Sequence, residues 1–270
     1  MNRVSNKIAL ITGASKGIGA ATARLLAQEG AHVIITDVLV EQGTALAAEI
    51  NGDFYHLNVT NENEWKELSD LLAQKYESID IVFNNAGITG LSTHYGPQDP
   101  EHCSLASWHD VHAINLDGVF LGCKYGIGLM KKKGGSIINM ASRSGMVGAP
   151  DTSAYASSKA AVRNFTKSVA LYCAEKGYNI RCNAVCPAAI LTDLWNVTLG
   201  TTEQQRTKRM HQIAAGIPLG HMGDPIDVAY AVLYLASNES KYMTGTEIIL
   251  DGGILAVSSS ALEKNEQEEL

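Results

Sequence analysis

Three side chains of types that can move a proton, Ser142, Tyr155 and Lys159, occur within a short stretch of the chain. Tyr155 and Lys159 are four residues apart in a predicted helix, so their side chains share one helix face. A tyrosine with its ordinary pKa of about 10 is a poor base at neutral pH, and an adjacent ammonium that stabilises the phenolate is expected to lower that pKa. Ser142 follows a predicted strand and would share a hydrogen bond with the reacting oxygen. The chemistry expected of this set is interconversion of an alcohol and a carbonyl, with Tyr155 as acid and base.

A glycine-rich loop near the N-terminus could hold a phosphate-bearing cofactor. Residues 12–19, with the sequence TGASKGIG, follow a strand-like segment and lead into a helical stretch. Gly13 could take a tight turn, Gly17 could let the backbone approach a pyrophosphate, and Gly19 could permit close packing of helix on strand. The positive end of the helix dipole would favour the same anion. The alternative is a glycine-rich turn without a ligand.

The preference between NAD and NADP depends on Asp37 and Lys16. Asp37 ends the second predicted strand, where a carboxylate can hydrogen-bond the adenosine ribose and repel the 2′-phosphate of NADP. Lys16, directly before the second loop glycine, would attract that phosphate. Repulsion by a fixed carboxylate should outweigh attraction by one flexible, solvated lysine, so NAD is predicted. The alternatives are a turn or helix-capping role for Asp37 and a solvated loop charge for Lys16.

The elements that must position these side chains repeat one pattern along the chain. Short apolar runs alternate with longer amphipathic segments, which is typical of repeated strand-helix units around a parallel sheet. We predict an α/β fold, a single doubly wound (Rossmann-like) domain with a seven-stranded parallel sheet. The predicted strands are residues 7–12, 31–36, 53–57, 79–83, 136–140, 179–185 and 247–250. The domain is expected to comprise residues 1–253, followed by a mostly polar tail at 254–270.

Apolar side chains at helical spacing mark two of the helices. In each, intervals of three and four residues place the apolar side chains in one stripe, and both stripes are expected to face the core. The stripes consist of Trp65, Leu68, Leu72 and Tyr76 in one helix, and of Ala161, Phe165, Val169 and Tyr172 in the other.

Two long segments, residues 89–104 and 187–223, break the pattern. Both follow predicted strands, and loops after strand C-termini line the ligand crevice of a doubly wound sheet, so we expect them to form the substrate walls. The second segment is apolar enough to suit a hydrophobic secondary alcohol or ketone, although several of its side chains could instead pack the loop or a subunit contact. These side chains are Leu191, Leu194, Trp195, Val197, Leu199, Met210 and Ile213.

Composition argues against several other classes of protein. Of the 270 residues, 46% are hydrophobic and 18% charged, which allows a large core and argues against a disordered chain. The net charge of −7, without a long basic block, argues against nucleic acid or an anionic membrane as partner. Five cysteines without a C-x-x-C pair, and no apolar signal region or bilayer-spanning run, predict a cytoplasmic protein. His109 and His112 form an H-x-x-H pair without a clear third ligand, so no metal is expected.

Taken in order along the chain, these motifs resemble those of short-chain dehydrogenases/reductases. The loop is spaced G-x-x-x-G-x-G, and Asn-Asn-Ala-Gly at residues 84–87 matches a family segment that lies beside the adenosine and stabilises the sheet. The serine, tyrosine and lysine have the family spacing. The resemblance runs from Lys7 to about Gly253, more than nine-tenths of the chain. Within the family, the chain looks most like bacterial hydroxysteroid and alicyclic-alcohol dehydrogenases.

The resemblance assigns roles to further residues. Asn115 matches a helix-interrupting asparagine whose backbone carbonyl holds a water that connects to the lysine in a proton relay. Residues 187–192 (PAAILT) resemble a Pro-Gly-x-Ile-x-Thr segment in which the isoleucine backbone and the threonine hydroxyl bind the nicotinamide carboxamide. Ala188 replaces the glycine of that segment, and alanine resists positive φ. Asn58 stands where the family has aspartate, and its amide oxygen can still accept a hydrogen bond from the adenine amino group. The implied cofactor site consists of Gly13, Ser15, Lys16, Gly17, Ile18, Gly19, Asp37, Asn58, Val59, Asn85, Ala86, Gly87, Tyr155, Lys159, Pro187, Ile190 and Thr192, and the implied catalytic residues are Asn115, Ser142, Tyr155 and Lys159.

The activity that the resemblance implies is NAD-dependent oxidation of a small-molecule substrate, a hydrophobic secondary alcohol of the cyclic or hydroxysteroid-like kind, or reduction of its ketone. It also implies a homo-oligomer, a dimer or tetramer, that pairs through the helices holding Asn115 and Tyr155. One alternative is an NADPH-dependent 3-oxoacyl-type ketoreductase, which Lys16 favours and Asp37 and the net charge of −7 disfavour. Another is a catalytically silent dinucleotide-binding sensor, which a broken serine-tyrosine-lysine set would suggest; here the set is intact.

Overall fold

A computed structural model describes residues 2–257, which form a seven-stranded, all-parallel sheet with helices on both faces. The strands are β1 (Ile8–Thr12), β2 (His32–Asp37), β3 (Asp53–His56), β4 (Ile81–Asn84), β5 (Gly135–Met140), β6 (Ile180–Pro187) and β7 (Glu247–Leu250). They lie side by side in the order β3-β2-β1-β4-β5-β6-β7, so the winding reverses between β1 and β4. The predicted doubly wound, Rossmann-like fold is confirmed. Each predicted strand overlaps an observed one, with ends that differ by at most two residues.

The helices cover the sheet from both sides. They are α1 (Gly17–Gln28), α2 (Val40–Glu49), α3 (Glu62–Lys75), α4 (Leu105–His112), α5 (Gly118–Met130), α6 (Ser153–Glu175), α7 (Asn196–Leu199), α8 (Glu203–Ala215) and α9 (Pro225–Ala236). Helices α1, α2 and α9 share one apolar core with the sheet, and α3, α5 and α6 share the other. None of the helices in residues 2–257 is long and apolar enough to cross a bilayer.

The strands divide their side chains between the two cores by strict alternation. Ile11, Ile35 and Phe83 point into the core with α1 and α9, whereas their neighbours Leu10 and Ile34 point into the core with α3 and α5. Successive side chains of a strand lie on opposite faces, so a strand covered on both faces must be apolar throughout. This requirement explains why the central strands β1, β2 and β4 are largely apolar.

The predicted core stripe holds for one helix and only in part for the other. In α3, the stripe that begins at Trp65 is buried, with Tyr76 half-buried at its end. In α6, Val169 is buried and Phe165 packs against the same core, but the prediction is wrong for Tyr172, which is 46% exposed. The face of α6 that packs on the sheet carries small and polar side chains as well as apolar ones, so counting apolar residues misplaces it. The buried residues of that face are Ala154, Ser158, Lys159, Val162, Thr166, Val169, Ala170 and Cys173.

The segment 187–223 is mostly helical and is closed at its base. It contains α7 and α8, and an isolated parallel bridge pairs Ile190 with Gly223. The Leu191 N–H donates to the Gly223 carbonyl at 2.8 Å. Its two ends are therefore fixed beside β6, while α8 has no buried residue. Residues 258–270, most of the predicted polar tail, lie outside the described residues, as does Met1.

Candidate active site

A cavity of about 770 Å³ opens at the C-terminal edge of the sheet, where the winding reverses. Crevices at this position are where ligands bind in doubly wound sheets. Most of the residues selected from the sequence contribute to its wall: Gly13, Lys16, Gly17, Ile18, Asp37, Asn58, Val59, Asn85, Ala86, Gly87, Ser142, Tyr155, Lys159, Pro187, Ile190 and Thr192. Ser15, Gly19 and Asn115 lie outside the wall, and each is bonded to or packed against residues within it.

The glycine loop has the conformation that the sequence predicts. Gly13 and Gly17 have φ of +61° and +57°, in the left-handed region that side chains avoid. A Cβ on Gly19 would lie 2.5 Å from the carbonyl oxygen of Gly13, so only glycine permits this approach of helix to strand. A Cβ on Gly17 would have room, at 3.5 Å from Thr192, so conformation and not space requires glycine there.

The start of α1 is suited to a pyrophosphate. The helix begins at Gly17, and within the described chain no side chain caps it and no acidic residue lies in its first turn. The first backbone N–H groups of the helix are therefore available as hydrogen-bond donors, and no acidic side chain neutralises the positive end of the helix dipole. Gly17 and Ile18 of this turn belong to the cavity wall. Free donors beside glycines that cannot be replaced fit the phosphates of a dinucleotide.

Asn85 fixes the glycine loop from the neighbouring strand. Its side-chain N–H₂ donates to the carbonyls of Thr12 and Gly13 at 3.0 and 2.8 Å, and its backbone N–H donates to the Thr12 hydroxyl. The Ala86 N–H donates to the same hydroxyl at 3.1 Å. The Asn-Asn-Ala-Gly segment thus joins β4 to the loop after β1.

Asp37 makes a turn contact and also lies in the cavity wall. Its carboxylate is 8% exposed and accepts hydrogen bonds from the N–H groups of Ser15, at 2.9 Å, and Leu39, at 3.1 Å. The bond to Leu39 is a turn contact before α2. The same carboxylate forms part of the cavity wall, and its two anchors hold it there.

The structure gives the amide oxygen of Asn58 a different partner from the expected one. That oxygen accepts from the Thr60 N–H at 3.1 Å and from the Thr60 hydroxyl at 2.9 Å. Because a carbonyl oxygen has two lone pairs, an adenine amino group would have to displace the hydroxyl. The expected hydrogen bond from adenine to this oxygen stays a prediction, and it would have to compete with the turn after Asn58.

Ser142, Tyr155 and Lys159 meet in the cavity wall. The Ser142 side chain is buried, accepts from the Ser144 N–H at 3.1 Å and forms a hydrogen bond with the Tyr155 side chain. The Lys159 ammonium lies 5.8 Å from the centre of the Tyr155 ring and donates to the Met140 carbonyl at 2.8 Å. The predicted sharing of one helix face by the tyrosine and lysine is what brings them together.

The pKa of Tyr155 moves in the opposite direction from the prediction. Removal from solvent raises it above its ordinary value, and the hydrogen bond with Ser142 offsets only part of the rise. Burial also lowers the pKa of Lys159 to about 8. The prediction of a lowered tyrosine pKa is wrong, because desolvation of the phenol exceeds any effect of a lysine that is itself desolvated.

Asn115 lies in a π-helical turn, Ala113–Asp117, between α4 and α5, as expected for a residue that interrupts a helix. The side chain is fully buried, accepts from the Ile88 N–H and donates to the Ile88 carbonyl, both at 2.9 Å. It also donates to the Ser158 hydroxyl. A Cβ on Gly87 would lie 3.1 Å from the Asn115 amide oxygen and 3.4 Å from the Lys159 nitrogen, so the turn packs closely behind the lysine.

Residues 187–192 follow β6 without backbone strain. Among residues 2–257, the non-glycine residues with positive φ are all asparagines, so Ala188 is accommodated with negative φ. Thr192 lies beside Gly17, because a Cβ on that glycine would be 3.5 Å from the Thr192 methyl group. The alanine that replaces glycine in this segment therefore does not distort it.

The rest of the cavity is largely apolar. Of the apolar side chains predicted for the segment 187–223, Leu194, Trp195 and Ile213 line it, whereas Leu199 packs inside the protein. Of the residues 89–104, Thr89 and Leu91 contribute to the wall. Ile217 also lines the cavity, within the segment predicted to form a substrate wall, whereas sequence reasoning missed Arg143, Ser144, Thr152 and Ile254. Arg143 and Ser144 could have been found as neighbours of Ser142, but no sequence signal places Ile254 there.

Of the histidine pair, His112 is engaged within the protein and His109 is exposed. His112 has one ring nitrogen 2.8 Å from the Trp108 carbonyl and the other 3.1 Å from the Ser157 hydroxyl. Within the described residues, no group of three or more histidine, cysteine or acidic side chains could hold a metal ion.

Known proteins resemble this chain over nearly its whole length. A family model described as enoyl-(acyl carrier protein) reductase matches residues 13–255. The chain is 40% identical over 263 residues to the NADP-dependent (R)-specific alcohol dehydrogenase of Lentilactobacillus kefiri, covering 94% of this chain and 99% of that protein. It is 41% identical to the 3-oxoacyl-(acyl-carrier-protein) reductase of Thermotoga maritima, covering 94% and 99%. It is 37% identical to the cyclopentanol dehydrogenase of a Comamonas species, covering 95% and 100%.

A solved structure agrees with these sequence relatives. The crystal structure of a short-chain type dehydrogenase/reductase from Mycobacterium marinum superposes with a TM-score of 0.82 at 34% identity, covering 94% of this chain and 97% of that one. Fold and site thus define an oxidoreductase of the kind that uses a nicotinamide dinucleotide. The chain belongs to the short-chain dehydrogenase/reductase family.

Proposed function

We propose that the protein interconverts a hydrophobic secondary alcohol and its ketone with NAD(H), using Tyr155 as the acid and base. The observation that carries this proposal is the meeting of Ser142, Tyr155 and Lys159 in the wall of the same cavity as the glycine loop. A proton-transfer set beside a pyrophosphate-binding loop is what hydride chemistry on an alcohol requires.

The residues around the cavity would hold the cofactor from end to end. The first turn of α1, with Gly17 and Ile18, would bind the pyrophosphate, Asp37 the adenosine ribose, and Ile190 and Thr192 the nicotinamide carboxamide. The chemistry that the dinucleotide supplies when bound is transfer of a hydride from the alcohol carbon, or to the carbonyl carbon in the reverse direction.

The chain itself handles the proton. Because burial raises the pKa of Tyr155, the side chain is a neutral phenol at neutral pH, which is the form that donates a proton to a ketone oxygen. In the oxidation of an alcohol, the phenolate takes the hydroxyl proton instead. Ser142 would hold the substrate oxygen beside the phenol, and Lys159 would stabilise the phenolate. The backbone carbonyl of Asn115, in the π-helical turn, would hold a water that connects to Lys159, and the proton would pass between the lysine and that water.

Substitution of Tyr155 by phenylalanine tests this mechanism, because it removes the hydroxyl and keeps the ring. We expect turnover to be nearly abolished while NADH binding, measured by fluorescence titration, stays within a few-fold of the wild-type value. Tyr172→Phe, on the exposed side of the same helix, is the matched control. Undiminished turnover by the Tyr155 variant would remove the mechanism, and tight NADH binding without any alcohol oxidation by the wild type would favour the sensor alternative.

NAD is proposed over NADP because the Asp37 carboxylate is held in place by two N–H groups and forms part of the cavity wall. A second anion beside it is disfavoured. Two observations favour NADP instead: the Lentilactobacillus kefiri relative is NADP-dependent, and Lys16 is exposed on the cavity wall. Measuring activity with NADH and with NADPH decides between the two cofactors. We expect the wild type to have a higher kcat/KM with NADH than with NADPH, and Asp37→Asn to narrow that ratio. A wild-type preference for NADPH would contradict the assignment.

A hydrophobic substrate is proposed because Leu91, Leu194, Trp195 and Ile213 surround the open part of the cavity. The cyclopentanol dehydrogenase relative favours an alicyclic alcohol, and a hydroxysteroid is a larger member of the same class. The Thermotoga maritima relative favours a second candidate, reduction of a 3-oxoacyl thioester. A panel of cyclic alcohols, hydroxysteroids, linear secondary alcohols and a 3-oxoacyl thioester, read by cofactor absorbance, separates the two. Turnover confined to the thioester with NADPH would select the second candidate.

A homo-oligomer is proposed because α5 and α6 leave apolar side chains exposed. Phe120, Leu171 and Tyr172 are each close to half exposed or more. Analytical ultracentrifugation would show a dimer or tetramer, and a monomer would contradict the proposal.

The five free cysteines support a reducing compartment such as the cytoplasm, which cell fractionation would test.

A further inference from the structure

Arg143 differs from every other arginine of residues 2–257. The other six each donate at least one hydrogen bond to a protein acceptor: Arg3, Arg24, Arg163, Arg181, Arg206 and Arg209. No hydrogen bond, ion pair or ring contact joins the Arg143 side chain to any residue in this part of the chain, although the residue is half-buried. A guanidinium that is partly removed from water and lacks a partner among these residues is suited to bind an anionic ligand.

The turn that carries Arg143 is firmly held beside the reacting groups. Arg143 directly follows Ser142 and contributes to the cavity wall together with Ser144. The Ser144 N–H donates to the Ser142 hydroxyl at 3.1 Å. Arg163, one helical turn beyond Lys159, donates to the Gly145 carbonyl at 2.6 Å. The backbone at Arg143 is therefore held close to the place where the substrate oxygen would lie.

The rest of the wall offers Arg143 no counter-charge. Its acidic residues are Asp37 and Asp193. Both oxygens of Asp37 accept backbone N–H groups at the glycine-loop end, and Asp193 is within hydrogen-bond distance of Asn196 and forms no ion pair with Arg143. Apolar residues make up most of the surrounding surface. A cation in an apolar wall selects a ligand that is mostly apolar and carries one anionic group.

We propose that the substrate is a hydroxy acid or oxo acid, whose carboxylate binds Arg143 while its alcohol or ketone group faces Ser142 and Tyr155. This proposal rests on the proposed function and narrows its substrate class. The planar guanidinium can bind a carboxylate through two parallel N–H···O bonds, which orients the substrate as well as holding it. Since Arg143 is adjacent to Ser142 in the chain, the carboxylate belongs on the same ring or short chain as the reacting carbon.

The test compares 4-oxocyclohexanecarboxylate with its methyl ester, which differ in one negative charge. We expect the wild type to prefer the acid, and Arg143→Gln to lower the acid-to-ester ratio of kcat/KM by roughly tenfold to a hundredfold, mainly through KM. Arg143→Lys keeps the charge but loses the planar guanidinium, so its acid-to-ester ratio should lie between those of the wild type and Arg143→Gln. Arg209→Gln, an exposed arginine of α8 outside the cavity wall, removes the same charge and is the matched control.

Calorimetric titration of the acid into the NADH-loaded protein gives a second readout that does not depend on turnover. The Arg143→Gln protein should bind the acid more weakly than the wild type and the control variant do. Turnover of the ester and of neutral alcohols without preference for the acid would overturn this inference and leave the proposed function intact. An acid-to-ester ratio that Arg143→Gln does not change would overturn it as well. Failure of the wild type on every alcohol and ketone would defeat the proposed function itself.

Discussion

The buried Lys159 is expected to lower the stability of the protein, and Lys159→Met should be more stable for that reason. Lys159 is 2% exposed, and its ammonium donates to one protein acceptor, the Met140 carbonyl. Among residues 2–257 no carboxylate pairs with it. The nearby Cys186 provides no compensating charge, because burial raises the pKa of its thiol to about 12. The protein therefore buries a cation that is poorly compensated, which lowers the pKa of Lys159 to about 8.

The magnitude follows from that pKa. A fall from 10.5 to about 8 corresponds to about 3 kcal/mol, at 1.36 kcal/mol for each pKa unit. The folded protein holds this proton less tightly than the unfolded chain, so the penalty is fully present below pH 8 and disappears as the pH rises toward 10.5. Methionine removes the penalty and also the hydrogen bond to Met140, which is worth about 1 kcal/mol. We expect Lys159→Met to be about 2 kcal/mol more stable than the wild type at pH 7, without cofactor.

Urea unfolding at pH 7 and pH 10, at a fixed protein concentration, measures this difference. Its pH dependence is the specific signature, because the advantage of the variant should vanish at the higher pH. Lys167→Met is the matched control, since Lys167 lies two turns further along α6 with its side chain half exposed. A Lys159 variant that is less stable at pH 7, or whose advantage is equal at both pH values, would refute the reasoning.

Two further substitutions test the supports of the site. Gly19→Ala would place a Cβ 2.5 Å from the Gly13 carbonyl oxygen, so we expect a loss of about 1–3 kcal/mol in thermal unfolding and a marked loss of NADH binding in fluorescence titration; unchanged binding would count against the loop assignment. Asn115→Ala leaves the N–H and carbonyl of Ile88 without their partner, and at about 1–3 kcal/mol for each buried orphan we expect a loss of several kcal/mol in urea unfolding. Ser158→Ala keeps both bonds to Ile88 and should cost about 1 kcal/mol, so equal losses in the two variants would contradict this account.

The sequence by itself determined the features that depend on neighbours along the chain. Alternating apolar runs predict the parallel sheet, because each strand must be apolar on both faces. The glycine loop could be identified because a strand, a turn and a helix start follow one another within a few residues. Tyr155 and Lys159 could be paired because residues four apart share a helix face. The crevice could be located because the loops after parallel strands meet at one edge of the sheet.

Only the tertiary structure decided how those groups behave. The direction of the Tyr155 pKa shift depends on how completely other elements exclude water, and the sequence has no signal for that sum. The isolation of Arg143 among residues 2–257 became visible only when the side chains around it had positions. The Asn58 oxygen accepts from the Thr60 hydroxyl in the observed turn. The core face of α6 includes Ser158, because burial depends on contacts among distant segments. Local spacing specifies which side chains can act, and packing specifies their charge, their partners and the space left for a substrate.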